Sequence, residues 1–127
     1  MRLRSKQHTI ASPLRNAIDR VDLDVPDELV AALDPLARGE SPGSLDTSRY
    51  VVHSLQTALH DALSAESAEE AIITAVNRGG DTDTIGAIAG AAAGARFGAS
   101  ALPGQWIFVL DDSDRLADIA DQLVTIV

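Results

Sequence analysis

NRGGDTDTIGAIAGAAAGARFG, residues 77–98, is the stretch on which the reading of this chain turns. Two glycines lead into four oxygen-bearing residues, Asp81, Thr82, Asp83 and Thr84, and a run of small residues follows. Gly86, Gly90 and Gly94 recur every fourth residue. On a helix they share one face, where missing side chains let a neighbouring backbone approach closely. The same pattern packs helices in lipid, but only 12 uncharged residues separate Asp83 from Arg96. A bilayer needs about 20. The reading is therefore a buried core helix. Each interior glycine costs about 1 kcal/mol relative to alanine, which close packing has to offset.

The rest of the chain reads as further helices. Val25–Leu33 opens with Pro26, Asp27 and Glu28 in first-turn positions, and Pro35 is expected to weaken its continuation. Gly, Pro and Ser make Arg38–Ser48 a loop. A helix from about Ser48 to Leu63 is expected to turn Val52, Leu55, Leu59, Ala62 and Leu63 inward. Ser67 and Glu70 form a capping-box pattern before a helix with Ala71, Ile72, Ala75 and Val76 inside. Gly79 and Gly80 stop that helix. Pro103-Gly104 introduces a short segment with Trp106 and Phe108. Ser113 is the expected cap of a final amphipathic helix burying Leu116, Ile119, Ala120 and Leu123. No useful strand-like alternation occurs, so the predicted fold class is all-α.

Composition agrees. Aromatic residues are 3% of the 127, so Ala, Leu, Val and Ile must build the core of a single domain. The formal net charge of −9 opposes non-specific nucleic-acid binding, which requires clustered Lys and Arg. Residues 1–20 nevertheless hold five basic residues against Asp19 alone, whereas residues 21–127 hold five arginines against eighteen acids. No apolar stretch of the kind a secretory signal needs follows the basic leader. Residues 1–24 are expected to form a basic, solvated, partly disordered arm, with the helical domain over 25–127. Lys6 is the single lysine, and with no cysteine disulfides and zinc–thiolate sites are excluded. The expected compartment is the cytoplasm, with no membrane association.

Asp81 and Asp83 stand at the junction of a glycine loop and a helix, where both carboxylates and the Thr84 hydroxyl can converge. Such hard oxygen donors suit Mg²⁺, Mn²⁺ or Ca²⁺. The spacing is neither an EF-hand nor a phosphate loop. A helix N-terminus carries partial positive charge and disfavours a cation, so further anionic ligands would be needed. The competing reading is structural: Asp81 or Thr82 caps the helix and Asp83 complements its dipole. His53 and His60, seven residues apart, lie about 10 Å from each other along a helix, too far to share a metal. Trp106 reads as a core anchor, and Ser48, Ser54 and Ser113 lack the His–acid company a nucleophile needs.

NRGGDTDTIGAIAGAAAGARFG closely resembles the C-terminal signature of the ADP-ribosylglycohydrolases. RYVVHSLQTALHDAL resembles that family's helix of the form GYVxxTLxxALW, SAEEAIITAVN its next helix, and LPGQWIFVLDDSDRLADIADQL its P-x-x-W segment and closing helix. The resemblance runs from about Ser44 to Val127. It implies a compact all-α fold and a binuclear Mg²⁺ or Mn²⁺ centre that hydrolyses the glycosidic bond between ADP-ribose and a protein side chain or related acceptor. Asp81, Asp83 and Thr84 fall on the family's C-terminal metal ligands, Thr82 on a position that is not usually a ligand, and Gly79 and Gly80 on the loop shaping the site. The family's remaining ligands come from G-D-A-x-G and T-D-D-T segments, and neither occurs here. The expectation is half of a two-metal site, inactive alone. Its substrates would be an ADP-ribosylated protein or small ADP-ribose compound, and its partner a complementary N-terminal chain. The alternative is a non-catalytic remnant acting as a small helical homodimer.

Overall fold

The computed structural model describes residues 13–21 and 24–127. Among them every regular element is helical: α1 (residues 13–20), α2 (Asp27–Ala37), α3 (Val51–Ser64), α4 (Ala68–Asn77), α5 (Thr82–Phe97), a 3₁₀ turn (Ala99–Ala101), α6 (Gly104–Phe108) and α7 (Ser113–Ile126). The all-α expectation holds. Most of the basic arm, residues 1–12 together with 22 and 23, lies outside the described residues. Within it, Arg15 on α1 pairs with Asp34 of α2 at 2.6 Å.

Alanine builds the core. α5 packs against both α3 and α4, α2 covers α3, and the 3₁₀ turn lies on α5. Ala58, Ala75, Ile85 and Ala89 form one buried cluster, and Ala65, Ala68, Ala71 and Ala93 a second, flanked by Phe97 and Leu102. Small side chains let helix axes approach closely, and dense contact then compensates for low aromatic content. Ile85, Ala89 and Ala93 recur every four residues, as one helical face requires. The opposite face of α5, at Ala87, Ala91 and Ala95, is exposed. A Cβ on Gly86 would stand 2.9 Å from Val76 Cγ2, and one on Gly90 would be in ordinary contact with Ile72. At Gly94 a Cβ would meet nothing. Close approach to α4 is therefore concentrated at the first of the three glycines.

Several boundaries and faces differ from the pattern reading. α2 continues through Pro35 to Ala37, because burial of Leu33, Leu36 and Ala37 outweighs the lost backbone hydrogen bond. α3 begins at Val51, and its fully buried stripe is Ser54, Thr57, Ala58, Asp61 and Ala62. Of the expected inner residues only Ala62 belongs to it; Val52, Leu55, Leu59 and Leu63 are half-buried. On α4, Ala68, Ala71 and Ala75 are buried, Ile72 is half-buried and Val76 is exposed beside Gly86. Ser67 caps this helix as expected, accepting the Glu70 N–H at 3.0 Å, while the Glu70 carboxylate accepts the Glu66 N–H at 2.9 Å. Asp112, not Ser113, takes the N-cap position of α7. No residue of α7 is buried: Leu116, Ile119 and Leu123 are 58%, 42% and 58% exposed, and Ala120 is exposed too. The amphipathic pattern names the face to be covered but does not supply the cover. Phe108 is likewise exposed, whereas Trp106 is half-buried. No described helix is long and apolar enough to cross a membrane.

Candidate metal centre

The site begins with a polar residue inside the helical core. Asp61, on the buried stripe of α3, is 1% exposed. Its carboxylate accepts two hydrogen bonds from Arg78, from Nε to Oδ2 and from Nη2 to Oδ1, both 2.6 Å. This fork-to-fork geometry is the strongest ion-pair arrangement proteins use. Burial pushes the Asp61 carboxyl up, but the hydrogen bonds and charges of Arg78 and His60 together outweigh it and hold the group below its ordinary value. Arg78 is the C-cap of α4, so the pair fixes where the chain leaves that helix.

Gly79 and Gly80 follow with φ of +80° and +69°, left-handed values that glycine adopts without strain. At Gly80 the need is also steric, since a Cβ would overlap the carbonyl and side chain of Thr47. That approach lets the Asp81 N–H donate to Thr47 O at 2.9 Å. The Thr47 loop is in turn pinned to α3. Thr57 Oγ1 donates to Asp46 O at 2.7 Å, Ser54 Oγ donates to Ser48 O at 3.1 Å, and the Asp46 carboxylate accepts the Ser48 N–H at 2.7 Å. That last bond, with the smaller contribution of the His53 charge, lowers the Asp46 carboxyl from its ordinary value despite opposing desolvation. Two loops, each anchored by buried polar residues of α3, therefore meet at the N-terminus of α5.

Asp81 occupies the N-cap of α5, yet its side chain makes no capping hydrogen bond. Its carboxyl lies within hydrogen-bonding reach of Asp83 instead. Asp83 is held below the ordinary carboxylate value first by that hydrogen bond, then by the N–H of Thr84 and its own N–H, with the Arg49 charge adding least. Asp83 Oδ1 accepts the Thr84 N–H at 3.0 Å. Thr47, Ser48, Arg49, Gly80, Asp81, Asp83 and Thr84 line an open cleft of about 630 Å³, so the three expected ligands and Gly80 share one site. Gly79 adjoins it in the chain, and Thr82 does not line it.

These donors fit a hard divalent cation in kind but not in number. Among the described residues no group of three or more His, Cys, Asp or Glu side chains gathers to hold a metal. Two carboxylates and a hydroxyl leave at least half of an octahedral shell to water or another polypeptide. The histidines serve separate loops. His53 Nδ1 meets Ser48 Oγ at 2.8 Å, and its ring stands edge-on to Tyr50. His60 Nδ1 lies 3.3 Å from Asp61 Oδ1.

Sequence reasoning missed Asp61, Arg78, Ser54, Thr57 and Arg49. The available signal was a polar series at 54, 57 and 61 with three- and four-residue spacing, running beside the apolar one.

The ADP-ribosylglycohydrolase family model matches residues 2–127. The chain belongs to that family. The match reaches upstream of Ser44, where the recognisable motifs begin. ADP-ribosyl-[dinitrogen reductase] glycohydrolase of Rhodospirillum rubrum is 42% identical over 65 residues, covering 51% of this chain and 22% of that protein. ADP-ribosylarginine hydrolase Tri1 of Serratia proteamaculans (strain 568) is 34% identical over 77 residues, 61% of this chain and 21% of that protein. An uncharacterised protein of Archaeoglobus fulgidus is 33% identical over 122 residues, 96% of this chain but 35% of that protein. The similarity thus spans between about a fifth and about a third of these relatives' length. No solved structure matches.

Proposed function

We propose that this ADP-ribosylglycohydrolase-family chain forms one wall of a two-cation site that hydrolyses the glycosidic bond between ADP-ribose and a protein side chain or similar acceptor. The observation that carries the reading is the N-cap carboxylate that does not cap: Asp81 turns to Asp83 beside Thr84 in an open cleft. Asp81, Asp83 and Thr84 would hold Mg²⁺ or Mn²⁺, and Gly79 and Gly80 shape the loop that presents them. Bound cations would orient ribose hydroxyls and a water and stabilise charge developing as the bond breaks. The residues lining the cleft bind and position.

The remaining ligands are to come from a complementary polypeptide carrying the family's N-terminal segments, and the chain alone is inactive. We place the system in the cytoplasm. The test is release of ADP-ribose from a modified protein with Mg²⁺, with and without that polypeptide. Turnover only in the combination supports the reading, and none under any combination removes the catalytic part of it.

A second reading is favoured by the uncovered face of α7: a non-catalytic helical module that self-associates. Sedimentation at several concentrations separates the two, because a monomer throughout excludes the module.

A further inference from the structure

Arg49 is the sole basic residue lining the cleft, which it shares with Asp81 and Asp83. It makes no ion pair or side-chain hydrogen bond with any described residue. Other arginines are committed: Arg15 and Arg38 to Asp34, Arg78 to Asp61, and Arg96 to the carbonyls closing α3. Its backbone is also held in place. Ser48, the preceding residue, is fixed through its N–H by Asp46 and through its carbonyl by Ser54, and Thr47 is tied to Asp81. An uncommitted, exposed arginine on a braced loop thus lines a site whose other charges are negative.

We propose that Arg49 sets ligand specificity by binding the diphosphate of an ADP-ribosyl group across this cleft. The proposal rests on the ADP-ribosyl reading given above. Two carboxylates would repel a diphosphate, and even a bound divalent cation only balances them. A guanidinium restores net attraction, and its planar fork matches two phosphate oxygens at once. In the helix form GYVxxTLxxALW glycine stands where Arg49 stands here, so the charge belongs to this chain and not to the family pattern.

The experiment titrates wild type, Arg49→Ala and Arg49→Lys with ADP-ribose, ADP and ribose in the presence of Mn²⁺. Binding of Mn²⁺ alone is read separately by electron paramagnetic resonance. Arg49 is exposed, so neither variant endangers folding. Losing a charge-assisted hydrogen bond should lower ADP-ribose and ADP affinity by about tenfold to a hundredfold in Arg49→Ala. Arg49→Lys should recover part of the loss, and ribose affinity should not change. Mn²⁺ alone should bind at least as tightly as to wild type, because a neighbouring positive charge is gone. ADP-ribose affinity unchanged in Arg49→Ala overturns the proposal, leaving Arg49 a counter-charge for the two acids. Wild type that binds Mn²⁺ but not ADP-ribose overturns it too and leaves the cation reading intact. Arg49-dependent ADP-ribose binding without any Mn²⁺ binding does the reverse. Binding of neither overturns both.

Discussion

Replacing Asp61 with alanine should loosen the candidate centre from a distance. The substitution removes the acceptor of two 2.6 Å hydrogen bonds from Arg78 and leaves a guanidinium only 26% exposed without its partner. Breaking a buried pair from one side costs about 3–5 kcal/mol when the survivor is fully enclosed. Arg78 retains a quarter of its exposure and can regain water, so we expect about 2–3 kcal/mol. With a urea dependence of roughly 1–3 kcal/mol per molar, the unfolding midpoint should fall by roughly 0.7–3 M. Below that midpoint the helices should persist, but the Gly79–Gly80 turn loses its anchor, so Mn²⁺ affinity should drop although no ligand has been touched. Arg78→Ala should behave similarly, and the double variant should cost less than the sum of the singles, because it leaves no charge stranded. Chemical denaturation of the four proteins closes the cycle. Additive effects, or an Asp61→Ala midpoint unchanged from wild type, would refute the claim that this pair organises the loop.

Gly80→Ala should destabilise the chain by about 1–3 kcal/mol, since it strains a left-handed position and drives a methyl into Thr47; loss of protection at the Asp81 amide in hydrogen exchange checks the mechanism. Gly94→Ala should do the opposite, raising stability by about 1 kcal/mol, because a Cβ there meets nothing; thermal unfolding decides the sign. Asp61 is held below the ordinary carboxylate value of 3.8 in the fold, so its contribution is complete above that value and disappears as pH falls through the lower folded one. Acid titration of stability should therefore lose an increment below about pH 4 in wild type that Asp61→Asn lacks.

How far the sequence discloses the fold depends on what each residue pattern constrains. The helix at 82–97 is legible because small residues between two charges leave no other packing, and the Ser67 cap because its hydrogen bond is local. The buried face of α3 is hidden. Leucines at 55 and 59 outvote Ser54, Thr57 and Asp61 in any hydrophobic periodicity, yet the polar residues go inside because each finds a partner in a distant loop. Pro35 misleads for a related reason, since the burial that carries α2 past it is tertiary. At the site, Asp81, Asp83 and Thr84 are legible from their junction with the glycines. Arg49, some thirty residues upstream, reaches the same cleft only because Gly80 lets Thr47 come into contact. The α7 face remains the clearest case of pattern without partner among the described residues.

The central claim is that Asp81, Asp83 and Thr84 take a divalent cation. Mn²⁺ titration at neutral pH, followed by electron paramagnetic resonance on wild type and on Asp81→Asn/Asp83→Asn, addresses it most directly. The account predicts weak binding by wild type, near the millimolar range for so few charged ligands, and none by the double variant. Equal Mn²⁺ uptake by both proteins, or no uptake by wild type at saturating Mn²⁺, would contradict it.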